Sequence, residues 1–136
     1  MFCMDFMLTL LYYLDCQIFS QLIHAIKSNK TKNITIANKL FDLGIKVWVF
    51  ITPILPGITD VEEMIDALNP QIPVFLDKVR LDKDSKSSFE MLRFIENKYP
   101  NLYNIYADII ETGNDVYCDR IKDKYHNSDR VKFVFE

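Results

Sequence analysis

Residues 77–82 read DKVRLD, and they follow the apolar stretch PVFL, so Asp77, Lys78 and Arg80 are charges set at the polar end of a strand-like run. In a strand, residues two apart share a face, which would make one side of this strand end cationic. Lys78 and Arg80 so placed suit a carboxylate or a phosphate. Solvated charges fringing a sheet would give the same pattern. The second candidate is TPILPGITD, residues 52–60, directly after the continuous apolar run VWVFI. Pro53 and Pro56 restrict its backbone, and Gly57 removes a Cβ that would hinder the approach of a ligand. Its simpler reading is a rigid turn from strand to helix.

Other chemistry is sparse. His24 and His126 are separated by most of the chain, and neither sits in a metal-ligand motif. Cys3, Cys16 and Cys118 have neither CxxC nor CxxxCxxC spacing, which by itself argues against a zinc or iron–sulfur site. No GxSxG, glycine-rich phosphate loop or HExxH is present. No catalytic residue and no metal ligand is therefore expected from motifs.

The elements that must position these residues follow from periodicity. TIANKLFDLGIK carries apolar residues at helical spacing up to Leu43, with Gly44 as the left-handed C-cap. VWVFI is apolar on both faces, as in a covered parallel sheet. Asp60 precedes VEEMIDAL with Glu63 three residues on, a capping-box pattern. VFLDKVRL is a second strand, Phe89 to Tyr99 a helix stopped by Pro100, and Leu102 to Glu111 and Val116 to Tyr125 two more helices. The tyrosines among them read as packing residues, and RVKFVFE closes the chain as a last strand. Alternating helices and strands mean a parallel α/β layer. Three strands are few for an independent domain, and an apolar edge strand would be left open.

Composition narrows the class. With 136 residues, 49% hydrophobic, 26% charged and a net charge of -3, the chain fits one globular domain and has no general attraction to nucleic acid. The run KSNKTKN, residues 27–33, reads as a solvated linker. The segment from Asp5 to Ser28 reads as an apolar helix. Its longest apolar run, Phe6 to Leu14, is far shorter than the ~20 residues needed to span a bilayer. It also lacks the basic start of a secretory signal. A cytoplasmic protein without a membrane segment is expected, its odd number of cysteines matching a reducing compartment.

Beyond the generic pattern, KLFDLGIKVWVFITPILPGITDVEEMIDAL, PVFLDKVRL, FIENKYPNLYNIYADII and NDVYCDRI, in this order, resemble the C-terminal half of radical S-adenosylmethionine proteins. The spore photoproduct lyase-related group is the most similar. The resemblance covers about residues 36–136; PILPGITD and KYPNLYNIY are its specific parts. It implies α/β architecture as an incomplete parallel (β/α) barrel-like half, with about three strands flanked by helices. Residues 1–33 would form a divergent apolar helix and linker, and 34–136 the partial barrel domain. It further implies S-adenosylmethionine and a [4Fe–4S] cluster as cofactors and a 5'-deoxyadenosyl radical as the reactive species. Thr52, Pro53, Pro56, Gly57 and Lys78 would line the cofactor or substrate site. The CxxxCxxC segment of that family is absent, so no cluster and no radical chemistry are expected of this chain alone. A missing N-terminal half-barrel, or self-association through the open sheet edge, would complete it; nucleic acid enters only through analogy with the lyase. Two alternatives stand beside this reading: a non-catalytic interaction module, and a small domain binding an anionic metabolite at Lys78 and Arg80.

Overall fold

The structure is a computed structural model, and it describes the backbone of residues 2–5 and the whole of residues 30–135. Within these, four parallel strands form one sheet: β1 (Phe2–Asp5), β2 (Val47–Ile54), β3 (Val74–Lys78) and β4 (Val131–Phe133). Their order in the sheet is their order in the sequence. Phe2 to Asp5 pair with Val47 to Phe50, Val49 to Ile51 with Val74 to Leu76, and Val74 to Leu76 with Val131 to Phe133. Between the strands run α1 (residues 30–42), α2 (Val61–Ala67), α3 (Lys86–Lys98), the 3₁₀ turn Pro100–Leu102, α4 (Tyr103–Thr112) and α5 (Val116–Tyr125). The α/β class and the parallel sheet are as the sequence implies.

Several boundaries differ from expectation: β3 ends at Lys78 and not at Leu81, α3 begins at Lys86 and not at Phe89, and β4 is only Val131–Phe133. The sheet has a fourth strand, β1, and Asp5 ends that strand instead of opening a helix; the remainder of the expected helix, residues 6–28, lies outside the described residues. Residues 30–33, read as linker, are the first turn of α1, where Lys30 pairs with Glu63 at 2.7 Å. β2 also runs past Ile51, through a cis Thr52–Pro53 bond and a register shift, to Ile54.

The expected caps are present. Gly44 has φ +77; its N–H donates to the Phe41 carbonyl and that of Ile45 to Leu40. Those two bonds are the paired closure of a Schellman motif, which needs the left-handed residue that glycine supplies without steric cost. Asp60 Oδ1 accepts from the Glu63 N–H at 3.0 Å and caps α2. The C-terminal end of α2 is held from outside. Asn38 of α1 donates to the Ala67 carbonyl and accepts from the Asn69 N–H. Arg130, just before β4, donates Nε to the Ile72 carbonyl and Nη2 to those of Ile65 and Leu68.

Alternation sorts the sheet into two faces. Val47, Val49 and Ile51 of β2, with Val74 and Leu76 of β3 and Val131 of β4, pack with Ala37, Val61, Met64, Ile65, Leu68, Cys118 and Ile121 from α1, α2 and α5. The intervening residues Trp48, Phe50 and Phe75 are half-buried and meet as an aromatic group, with ring centroids 5.3 to 6.2 Å apart. A second core, of Leu55, Val79, Met91, Phe94, Ile95 and Tyr106, lies where α3 and α4 pack on the loops leaving β2 and β3. It fixes the carboxyl ends of the strands.

Candidate functional site

In parallel sheets, ligands bind beyond the carboxyl ends of the strands, because the connecting loops and helix starts converge there. Two openings occupy that end of the molecule. A cleft of about 520 Å³ lies beyond β3 and β4, lined by Lys78 to Asp82, by Ile109, Gly113 and Asp115 from the α4–α5 junction, and by Val134 and Phe135. A groove of about 560 Å³ runs beside it from Pro56 and Gly57 across α4 to Val116, Tyr117 and Arg120. Ile109 forms part of both.

The PILPGITD loop is tightly fastened. The Tyr106 hydroxyl donates to the Pro56 carbonyl at 3.0 Å, and the Tyr117 hydroxyl to the Thr59 carbonyl at 2.8 Å. Thr59 Oγ1 accepts from the Leu55 N–H at 3.0 Å. Burial pushes the Tyr106 and Tyr117 hydroxyls above the ordinary phenol value, so they stay protonated donors. Gly57 has φ +75, and a Cβ there would stand 2.7 Å from Leu102 Cδ2. Its missing side chain therefore makes room for Leu102. Tyr106 and Tyr117, legible in the sequence only as packing, are the clasps of this loop.

The cleft brings together charges of both signs. β3 ends at Lys78, so Arg80 lies beyond the strand, yet both line the same cleft. Lys78 Nζ stands 5.3 Å from the centre of the Phe135 ring, a cation–π contact, and makes no ion pair with any described residue. Arg80 is largely exposed, with Nη2 3.9 Å from Asp77 Oδ1. Asp77 Oδ1 is buried without a hydrogen bond from any described residue. Asp115, which is 4% exposed, lines the same cleft. Its Oδ1 accepts from the Cys118 N–H at 2.9 Å and caps α5, while Oδ2 is buried without a hydrogen-bond partner among the described residues.

Of the residues expected to line a site, Lys78 is in the cleft, and Pro56 and Gly57 are in the neighbouring groove. Thr52 and Pro53 lie within β2 and line neither. Asp115 was hidden in the sequence. The pair Asn114–Asp115 before VYC reads as a helix cap, which it is, and nothing local signals the second, unmatched oxygen.

Cys118 does not fit an iron–sulfur ligand. It is fully buried in the helix-covered core, and burial together with the adjacent Asp115 carboxylate pushes its thiol well above the ordinary 9.0, whereas a cluster needs the thiolate. Cys16 lies outside the described residues. His126 is on the surface, its Nδ1 2.6 Å from the Asp123 carbonyl oxygen. Among the described residues no three His, Cys, Asp or Glu side chains converge to hold a metal, and no helix is long and apolar enough to cross a membrane. Comparison of the chain with models of protein families, with curated proteins and with solved structures gave no match.

Proposed function

We propose that this chain is a ligand-binding half of a (β/α) barrel, derived from a radical S-adenosylmethionine protein, that holds a small anion-bearing metabolite at the ends of β3 and β4 and carries out no radical chemistry alone. The observation that carries the binding role is Lys78, which makes no ion pair with any described residue and lines a cleft at the carboxyl end of a parallel sheet. A lysine that is not held in an ion pair at such a position keeps its charge available for a ligand's phosphate or carboxylate, with Arg80 at the rim as a second donor. The barrel ancestry rests on the resemblance over residues 36–136. It agrees with a sheet wound in one direction, without the reversal of strand order that marks a doubly wound fold. The inability to run the radical reaction alone rests on the absent CxxxCxxC segment and on the buried, protonated Cys118.

Thermal unfolding in the presence of phosphate, citrate and acetate, at constant ionic strength, tests the binding role. The expected result is stabilisation that saturates with anion concentration and disappears in Lys78→Ala. Equal stabilisation of wild type and variant would remove Lys78 from the site. Anaerobic reconstitution followed by iron and sulfide analysis tests the chemistry: stoichiometric [4Fe–4S] would overturn the non-catalytic reading.

A further inference from the structure

The groove beside the cleft is built differently. Its apolar lining comes from Pro56 and Gly57 after β2, Ile105 and Ile109 of α4, and Val116 and Tyr117 of α5. Ile105, Asp108 and Ile109 share one face of α4, and Val116 and Arg120 one face of α5, because residues three and four apart are neighbours on a helix. Ile105 is 46% exposed and Val116 74%. Single exposed apolar residues are ordinary on a protein surface, but these two line one apolar groove of about 560 Å³.

The groove also carries a charge of each sign. Asp108 is exposed and forms no ion pair with any described residue. Arg120 donates Nη1 to Glu62 Oε2 at 3.1 Å, and its guanidinium carbon stands 5.2 Å from the centre of the Tyr117 ring. The rest of its fork makes no hydrogen bond to a described residue. A projecting apolar side chain, an apolar recess, an acid and a base on one patch are what a two-fold interface requires. In such an interface each residue i that meets j is matched by j meeting i.

We infer that this groove is the interface of a two-fold dimer of the chain. Val116 of each protomer enters the recess of Gly57, Ile105 and Ile109 in its partner, and Asp108 of each meets Arg120 of the other. A small apolar ligand would leave both charges unmatched, whereas a second copy supplies the complement of each. Because the contact is isologous, assembly stops at two copies, and neither edge of the sheet takes part.

Sedimentation equilibrium of the full chain tests this. A monomer–dimer equilibrium is expected between about 1 μM and about 1 mM. Val116→Asp should keep the fold, since the position is exposed and an acid in the first turn of α5 suits the helix dipole. It should weaken the dimer at least about a hundredfold by burying a carboxylate without a partner. Asp108→Arg should weaken it about tenfold, and adding Arg120→Asp should restore it, because the two charges then exchange places. A full chain that stays monomeric throughout would overturn the proposal and leave the groove to another occupant. A dimer that Val116→Asp leaves equally tight would overturn it as well, by placing the contact elsewhere. Failure of the exchange to restore what Asp108→Arg removes would overturn the pairing of Asp108 with Arg120.

Discussion

Individual side chains in this protein act mostly by closing the backbone's open hydrogen bonds. Tyr106 is fully buried and spends its hydroxyl on the Pro56 carbonyl. Tyr106→Phe should therefore cost about 1–3 kcal/mol, because the carbonyl stays buried after its donor is removed. Urea unfolding followed by the fluorescence of Trp48 measures this; an unchanged midpoint would mean that the carbonyl finds another donor. The buried acids of this region also set an alkaline limit. Burial raises the Cys118 thiol and the Tyr106 and Tyr117 hydroxyls above their ordinary values of 9.0 and 10.0. The unfolded chain then releases these protons first, so their contribution to stability is complete below pH 9 and declines as the pH rises beyond it. Unfolding free energy should fall steadily above that pH, and Cys118→Ala should make the decline shallower.

Elements are joined less by their own propensities than by residues reaching in from elsewhere. α2 has only seven residues, too few to be stable alone. Its end is closed by Arg130, which is separated from it by three helices and spends three hydrogen bonds on carbonyls of Ile65, Leu68 and Ile72. Arg130→Ala should destabilise the protein by about 2–4 kcal/mol, since charged donors to partly buried carbonyls are lost together. Arg130→Lys should recover only part of this, because a single ammonium cannot span the spread of carbonyls that a planar guanidinium reaches. Denaturant titration of both variants checks the order. Periodicity and caps made the helices readable: Asp60, Gly44 and Pro100 mark their ends in the sequence as they do in the structure. The reach of Arg130 was not readable, since it joins residues about sixty positions apart.

For the molecule as a whole, the feature of greatest consequence is β1. Pairing of Phe2 to Asp5 with Val47 to Phe50 covers one edge of β2. A chain beginning at Lys30 loses that strand and leaves the backbone groups of Val47 to Phe50 open to any other strand. Such a deletion should self-associate, as seen by light scattering after size exclusion, while the full chain should not do so by this route. A truncated chain that stayed monomeric would show that β2 needs no cover.

The sequence by itself determined what depends on neighbours along the chain. The helical and strand periods, the capping of α2 by Asp60, the left-handed Gly44 and the α/β class all follow from spacing within a few residues. It also excluded the family's cluster motif, since that is a matter of cysteine spacing. Only the tertiary structure decided that Phe2 to Asp5 form a strand, because a four-residue piece has no period of its own until a partner strand supplies hydrogen bonds. It likewise decided that Gly57 yields space to Leu102, that Tyr106 and Tyr117 fasten the loop, and that Asp115 and Lys78 line one cleft. Each of these is a contact between residues far apart in sequence, set by the packing of α4 and α5 against the strand ends, and local pattern carries no record of it.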